Sequence, residues 1–185
     1  MVKARERFEA AVEANEDDPE AWYKLGHLYG SLAEKQKDED LLGRAGAALK
    51  KALALDPAEA HAELDLAAVK LRQGKTEEAE PLLHHVVQVD RNLVEAQRLL
   101  GEIYLSDGRN EEAQKAFEQV LWIDANNALA HFGLARVLTI SPDNRGAAYQ
   151  HWKDFLRLSA GDDSYAKERA FAEAVLERYF SDQNR

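Results

Sequence analysis

The 6 histidines and 34 carboxylates of this 185-residue chain are the groups able to hold a metal or move a proton, and their spacing decides whether they do. His84 and His85 are neighbours; on a helix they point about 100° apart and would need outside ligands to close a metal sphere. HAELD, from His61, lacks the adjacent glutamate and second histidine of a helical zinc site. DANNALAH, from Asp124, has ligand-like oxygens but neither the glycine nor the closing glutamate of a calcium loop; like Asp17-Asp18-Pro19 and Asp162-Asp163 it reads as a turn and cap. There is no phosphate-binding glycine loop, no nucleophile elbow and no cysteine, hence no thiolate nucleophile or disulfide. These residues predict no catalytic group, no metal and no cofactor. What remains is recognition, for which Arg72, Arg98 and Arg136 supply guanidinium donors suited to a carboxylate.

The elements that must carry these side chains repeat at a fixed interval. A shift of 34 residues places Ala62 on Ala96, Leu66 on Leu100, Leu71 on Leu105, Gly74 on Gly108, Glu77-Glu78-Ala79 on Glu111-Glu112-Ala113 and Asp90 on Asp124. A second shift of 34 carries Leu100 to Leu134, Ile103 to Val137 and Ala113 to Ala147. Within one unit Leu100, Gly101 and Tyr104 share a face of a first helix, and Gly101 removes a side chain where a second helix must come close. SDGRN then stops that helix: Gly108 suits a positive φ, and Asn110 is placed to cap the second helix, with Glu111 and Glu112 at its N-terminal dipole. Thr76 with Glu77 and Glu78 repeats the device. Ala113, Phe117 and Val120 form the buried stripe of the second helix, small where backbones cross and large where the gap opens. Each pair buries itself only against its neighbours, which predicts a one-dimensional α-solenoid with a concave and a convex wall.

AWYKLGHLY (Ala21–Tyr29), LLGEIYLSDGRNEEAQKAFEQVL (Leu99–Leu121) and KKALALDP (Lys50–Pro57) resemble the tetratricopeptide repeat. Its W-x2-L-G-x2-Y, A-x3-F and terminal P pattern is matched at Trp22, Leu25, Gly26, Tyr29, at Ala113 and Phe117, and at Pro57. The resemblance implies an all-α, right-handed superhelix of antiparallel helix pairs with a C-terminal capping helix, and a non-enzymatic protein–protein interaction scaffold. Residues 1–16 read as the second helix of a partial repeat, through Ala4, Phe8, Ala11 and Val12; its missing first helix points to excision from a longer protein, which leaves room for an N-terminal anchor. Repeats follow at 19–59, 60–93, 94–127 and, degenerate, 128–159, with TISPDNRG putting Pro142 in place of a turn glycine. A closing helix at 163–181 is expected to bury Ala166, Ala170, Phe171, Ala174, Val175 and Tyr179, with Asp162 or Asp163 as its cap. The first full repeat carries seven extra residues, close to two helical turns. Its first helix should therefore run to about Gln36 and its second start just after Asp40, leaving a charged tip at Lys35 to Asp40. Pro81, inside a second helix, predicts a slight bend.

The balance of 24 basic against 34 acidic residues, a formal charge of −10, repels phosphate backbones, and no basic run overrides it, so no nucleic acid is expected as partner. No apolar run reaches the length of a membrane span, so the chain is expected to be soluble, in cytosol or periplasm, with no direct membrane insertion. On each first helix the face away from the Leu-Gly-Tyr stripe should line the concave wall. It carries Tyr23 and His27, Leu64 and Arg72, Arg98, Glu102 and Leu105, then Phe132 and Arg136, with Leu71 and Leu129 as further apolar sockets. That lining suits a peptide or helix of a protein partner with apolar anchors and some acidic residues. Some family members clamp the acidic tail of heat-shock chaperones with basic and Asn residues; here Tyr23, His27, Asp65, Glu95 and Leu99 stand in those places, which disfavours that ligand. Two further readings are a self-associating assembly module, and a looser similarity to periplasmic tetratricopeptide proteins of cytochrome c maturation through Trp22, the Leu32 to Asp40 extension and Trp152.

Overall fold

A computed structural model describes residues 2–181, and those residues are helical, with short turns and no strand among them. The chain divides into two compact units, 1–91 and 92–185. In the first unit lie α1 (Val2–Ala14), α2 (Pro19–Gln36), α3 (Glu39–Leu55), α4 (Ala60–Arg72) and α5 (Thr76–Val89). The second holds α6 (Val94–Ser106), α7 (Asn110–Ile123), α8 (Ala128–Thr139), α9 (Arg145–Leu158) and α10 (Ala166–Phe180). The most extensive packing is between α2 and α3, α4 and α5, α6 and α7, and α8 and α9.

In the first unit, Asp18 opens α2 by accepting from the amides of Glu20 (3.0 Å) and Ala21 (3.2 Å), with Pro19 in the first turn, where no amide is needed. The helix ends at Gln36, as its length predicts, with Lys37 in the left-handed region at φ 52°. The next helix starts at Glu39 rather than after Asp40, because Asp38 is its cap, accepting from Asp40 N (2.9 Å) and Leu41 N (3.1 Å). Between α2 and α3, Gly26 faces Leu49; a Cβ there would lie 2.7 Å from Leu49 Cγ. Leu25, Leu42, Ala45, Leu49, Ala52 and Leu66 are buried around that contact, and Val12 of α1 joins them. Helix α5 runs through Pro81, whose ring nitrogen leaves the Glu77 carbonyl without its helical donor.

The second unit is built around Phe117. Gly101 of α6 and Gly133 of α8 both face its ring, so one aromatic side chain fills the space that two missing side chains open. Gly74 and Gly108 take φ 72° and 74° after α4 and α6. The cap expected of Asn110 does not form: Arg109 is the cap residue, Asn110 is the first helical residue, and its buried Oδ1 has no hydrogen-bond partner. Thr76 likewise lies inside α5, after Lys75. In both turns the glycine lets the next amide fold back onto the preceding helix, Arg109 N on Tyr104 O at 2.8 Å and Lys75 N on Lys70 O at 2.9 Å, which starts the second helix one residue early.

Two registers differ from expectation. Ala148, Trp152 and Phe155 are the buried stripe of α9, while Ala147 is exposed. A 3-10 turn at Pro142–Asn144 takes the place of the glycine turn and adds one residue, so the interval from Ala113 is 35 rather than 34. In α10 the buried residues are Ala172, Leu176 and Phe180; Phe171 and Tyr179, expected inside, are 50% and 48% exposed, and Ala166, Ala170 and Ala174 are also exposed. Asp162 caps not α10 but a 3-10 turn at Asp163–Tyr165, accepting from Ser164 N at 2.9 Å. Arg169 ties α10 to the end of α9 by donating to Ser159 O (2.7 Å) and to Asp162 O.

Candidate partner-binding surface

In the first unit, Tyr23 and His27 sit one turn apart on α2, with ring centroids 6.0 Å apart. His27 Nδ1 meets Asp65 Oδ2 of α4 at 2.7 Å. Burial, together with the nearby Asp65 and Glu59 carboxylates, holds the Tyr23 phenol above its usual pKa, so it stays neutral and able to donate. Arg72 at the far end of α4 donates to Glu34 at 3.0 Å. Leu64, expected as a socket, is instead core: at 8% exposure it is closed off where α4 lies against α2. Tyr23, Lys24, His27, Leu28 and Ser31, with Phe8 of α1, border a cleft of about 460 Å3.

In the second unit, Arg98 Nε and Nη2 grip Glu95 at 2.9 and 2.6 Å. Burial works against the charge on Arg98, but Glu95, Glu102 and Tyr165 outweigh it, and its pKa lies above the ordinary arginine value. Arg136 of α8 donates to Glu102 of α6 at 2.9 Å and stacks over Phe132 at 5.5 Å. Phe132 in turn meets Trp152 (5.5 Å), Phe155 (4.9 Å) and Phe171 (5.9 Å). The three arginines are thus not bare donors: each has a carboxylate from the chain, and a partner carboxylate would share or replace it. Leu105 and Leu129 are half-buried.

The spacing argument put Phe171 inside the closing helix's core rather than on this surface, where it is 50% exposed. The signal was present: Ala172-x3-Leu176-x3-Phe180 repeats Ala21-x3-Leu25-x3-Tyr29, Ala96-x3-Leu100-x3-Tyr104 and Ala130-x3-Leu134-x3-Leu138, the buried positions of α2, α6 and α8. Helix α10 is therefore a first helix, and Phe171 stands where Leu129 stands on α8, and Ala174 where Phe132 stands. Also missed was a pair of imidazoles, His131 Nδ1 and His151 Nδ1 at 2.9 Å. His131 Nε2 lies 3.1 Å from Ala125 O, which can only accept, so in the neutral pair His131 Nδ1 accepts from His151 Nδ1–H.

Stacked antiparallel helix pairs with small residues at the crossings define a helical repeat protein. Two tetratricopeptide repeat family models match residues 58–126 and 98–163. The chain belongs to the tetratricopeptide repeat family. Its fold is shared with MamA (residues 41 to the end) from Desulfovibrio magneticus RS-1, at 24% identity over 87% of this chain and 86% of that one, with a TM-score of 0.71. It is also similar to TTC0263, a thermophilic TPR protein of Thermus thermophilus, at 20% identity over 91% and 87%, with a TM-score of 0.67. No curated protein matches the sequence. No helix among the described residues is long and apolar enough to cross a membrane.

Proposed function

We propose that this chain is a non-enzymatic scaffold that holds a peptide or helix of a partner protein against its first helices. The observation that carries the reading is the second unit's contact between half-buried Phe132 and half-exposed Phe171, 5.9 Å apart, with Arg98 on α6 and Arg136 on α8 already fixed by Glu95 and Glu102. Pre-positioned guanidinium groups lose little freedom on binding, and aromatic side chains supply contact area at low entropic cost. An apolar side chain of the ligand would pack on Phe132 and Phe171, and a ligand carboxylate would compete with Glu95 or Glu102.

A photo-reactive phenylalanine analogue at Phe171 tests this, with a second at Trp122, which is 78% exposed on α7. A partner that crosslinks from position 171 and not 122, and whose purified form binds about tenfold or more weakly to Phe171→Asp, supports the reading. Equal crosslinking from both positions sinks it. Self-association is the second reading, favoured by the half-exposed Phe171 and Tyr179 on α10; sedimentation that stays monomeric at high concentration would remove it.

A further inference from the structure

The histidines of the two units differ in what they meet. In the first unit His27, His61 and His85 each face a carboxylate, at 2.7, 3.3 and 2.5 Å. In the second, His131 of α8 and His151 of α9 face each other, Nδ1 to Nδ1 at 2.9 Å, with ring centroids 5.1 Å apart.

This pair is built as a ligand pair would be. His131 is 7% exposed, and its Nε2–H is spent on Ala125 O at 3.1 Å, which fixes the ring and leaves the Nδ1 lone pair directed at His151. One imidazole nitrogen tied to a backbone carbonyl and the other free to give its lone pair is the arrangement that metal-ligating histidines adopt. The spacing fits as well. Two nitrogens held about 2.0–2.1 Å from one zinc-class ion, at an angle between the right angle and the tetrahedral value, stand about 2.9–3.4 Å apart. The neutral pair therefore already keeps a distance at which both nitrogens can ligate. His151, the half-buried member, has to pass its Nδ1 proton to Nε2 through solvent and turn its lone pair toward the ion.

Carboxylates supply the balancing charge. Asp154 stands one turn beyond His151 on α9 and Glu118 comes from α7, and both act electrostatically on the His151 ring. Neither is yet drawn in: among the described residues no three ligand groups already close on one point. Asp154 accepts from Arg157 at 3.0 Å and Glu118 from Gln114 at 2.7 Å, exposed contacts within single helices that a divalent cation displaces at little cost.

We propose that His131 and His151 bind one zinc-class divalent ion through their Nδ1 atoms, with Asp154 and Glu118 turning in as its oxygen ligands. Imidazole nitrogen with carboxylate oxygen suits zinc rather than magnesium or calcium, which take oxygen alone. The ion ties α7, α8 and α9 together and stabilises the second unit as a closed structural site. Spacing along one helix, which predicts no metal, does not register ligands that come from three.

Zinc chloride titrated into the chelator-treated full chain at neutral pH, followed by calorimetry and by thermal unfolding, tests the proposal. One zinc per chain and a raised unfolding midpoint are expected, with magnesium chloride producing neither. His151→Gln, at a half-buried position that tolerates the change, should weaken binding about tenfold or more and remove the midpoint shift. His84→Gln/His85→Gln, on the first unit, should bind zinc like the wild type. X-ray absorption of the zinc-loaded chain should show two imidazoles in the metal sphere. No saturable binding, undiminished binding by His151→Gln, loss of binding in the His84→Gln/His85→Gln chain, or a sphere with fewer than two imidazoles overturns the proposal.

Discussion

At the scale of single residues, Phe117 and His151 show how much one side chain carries. Phe117 is fully buried between two glycines, so truncation to Ala leaves a cavity that neither backbone can close. Phe117→Ala should destabilise the chain by about 3–5 kcal/mol, read from the shift in urea midpoint. His151 is held below its ordinary pKa of 6.5, first by burial and then by His131, with Asp154 and Glu118 pulling the other way. Since the folded value lies under the unfolded one, the unfolded chain binds more protons in the window between them. Stability of the second unit is therefore intact above about pH 6.5 and falls as the pH drops from there toward the folded value. His151→Gln should flatten that slope in urea titrations run at several pH values; an unchanged slope would show that other groups set it. Both residues were visible in the sequence, but only Phe117 announced its role, through its 34-residue register. The imidazole pair joins positions 20 apart on two helices, and no local pattern signals it.

At the scale of elements, capping separates what spacing suggests from what the chain does. Asp18 and Asp38 hold two amides each, whereas Asn110 holds none with its side-chain oxygen. Asp18→Ala and Asp38→Ala should each cost about 1 kcal/mol, and Asn110→Ala less than about 0.5 kcal/mol, measured by thermal or urea unfolding. Comparable losses at all three positions would mean that Asn110 contributes in some other way. The difference arises because a polar residue after a glycine turn can serve either as cap or as first helical residue, and the backbone bond from Arg109 N to Tyr104 O selects the second. Helix α10 poses the same kind of choice. It carries two apolar stripes, one through Ala166, Ala170, Phe171 and Ala174 and one through Ala172, Leu176 and Phe180. Leu176 and Phe180 fit against α9, where Tyr149 meets Phe180 at 5.8 Å and Arg145 stacks on it at 5.4 Å, so the second stripe goes inside.

At the scale of the whole molecule, charge governs behaviour in solution. The formal charge of −10 at neutral pH vanishes near the isoelectric point of about 5.1, and with it the mutual repulsion between copies. Solubility should pass through a minimum near that pH and recover with added salt on the alkaline side, measured by light scattering across a pH series; a minimum well above it would point to specific association instead. The sequence by itself determined the helical class, the paired-helix repeat, the glycine turns, the lengthened first pair and the stripes built on Leu25, Phe117 and Val120, because each is written in spacings of a few residues along one helix. Only the tertiary structure decided that Leu64 is core, that Arg72, Arg98 and Arg136 already hold carboxylates, that α9 is shifted by one residue, and which face of α10 is buried. Each of those outcomes depends on which neighbour arrives across the gap, and side chains with two acceptable local solutions take the one that the facing helix leaves open.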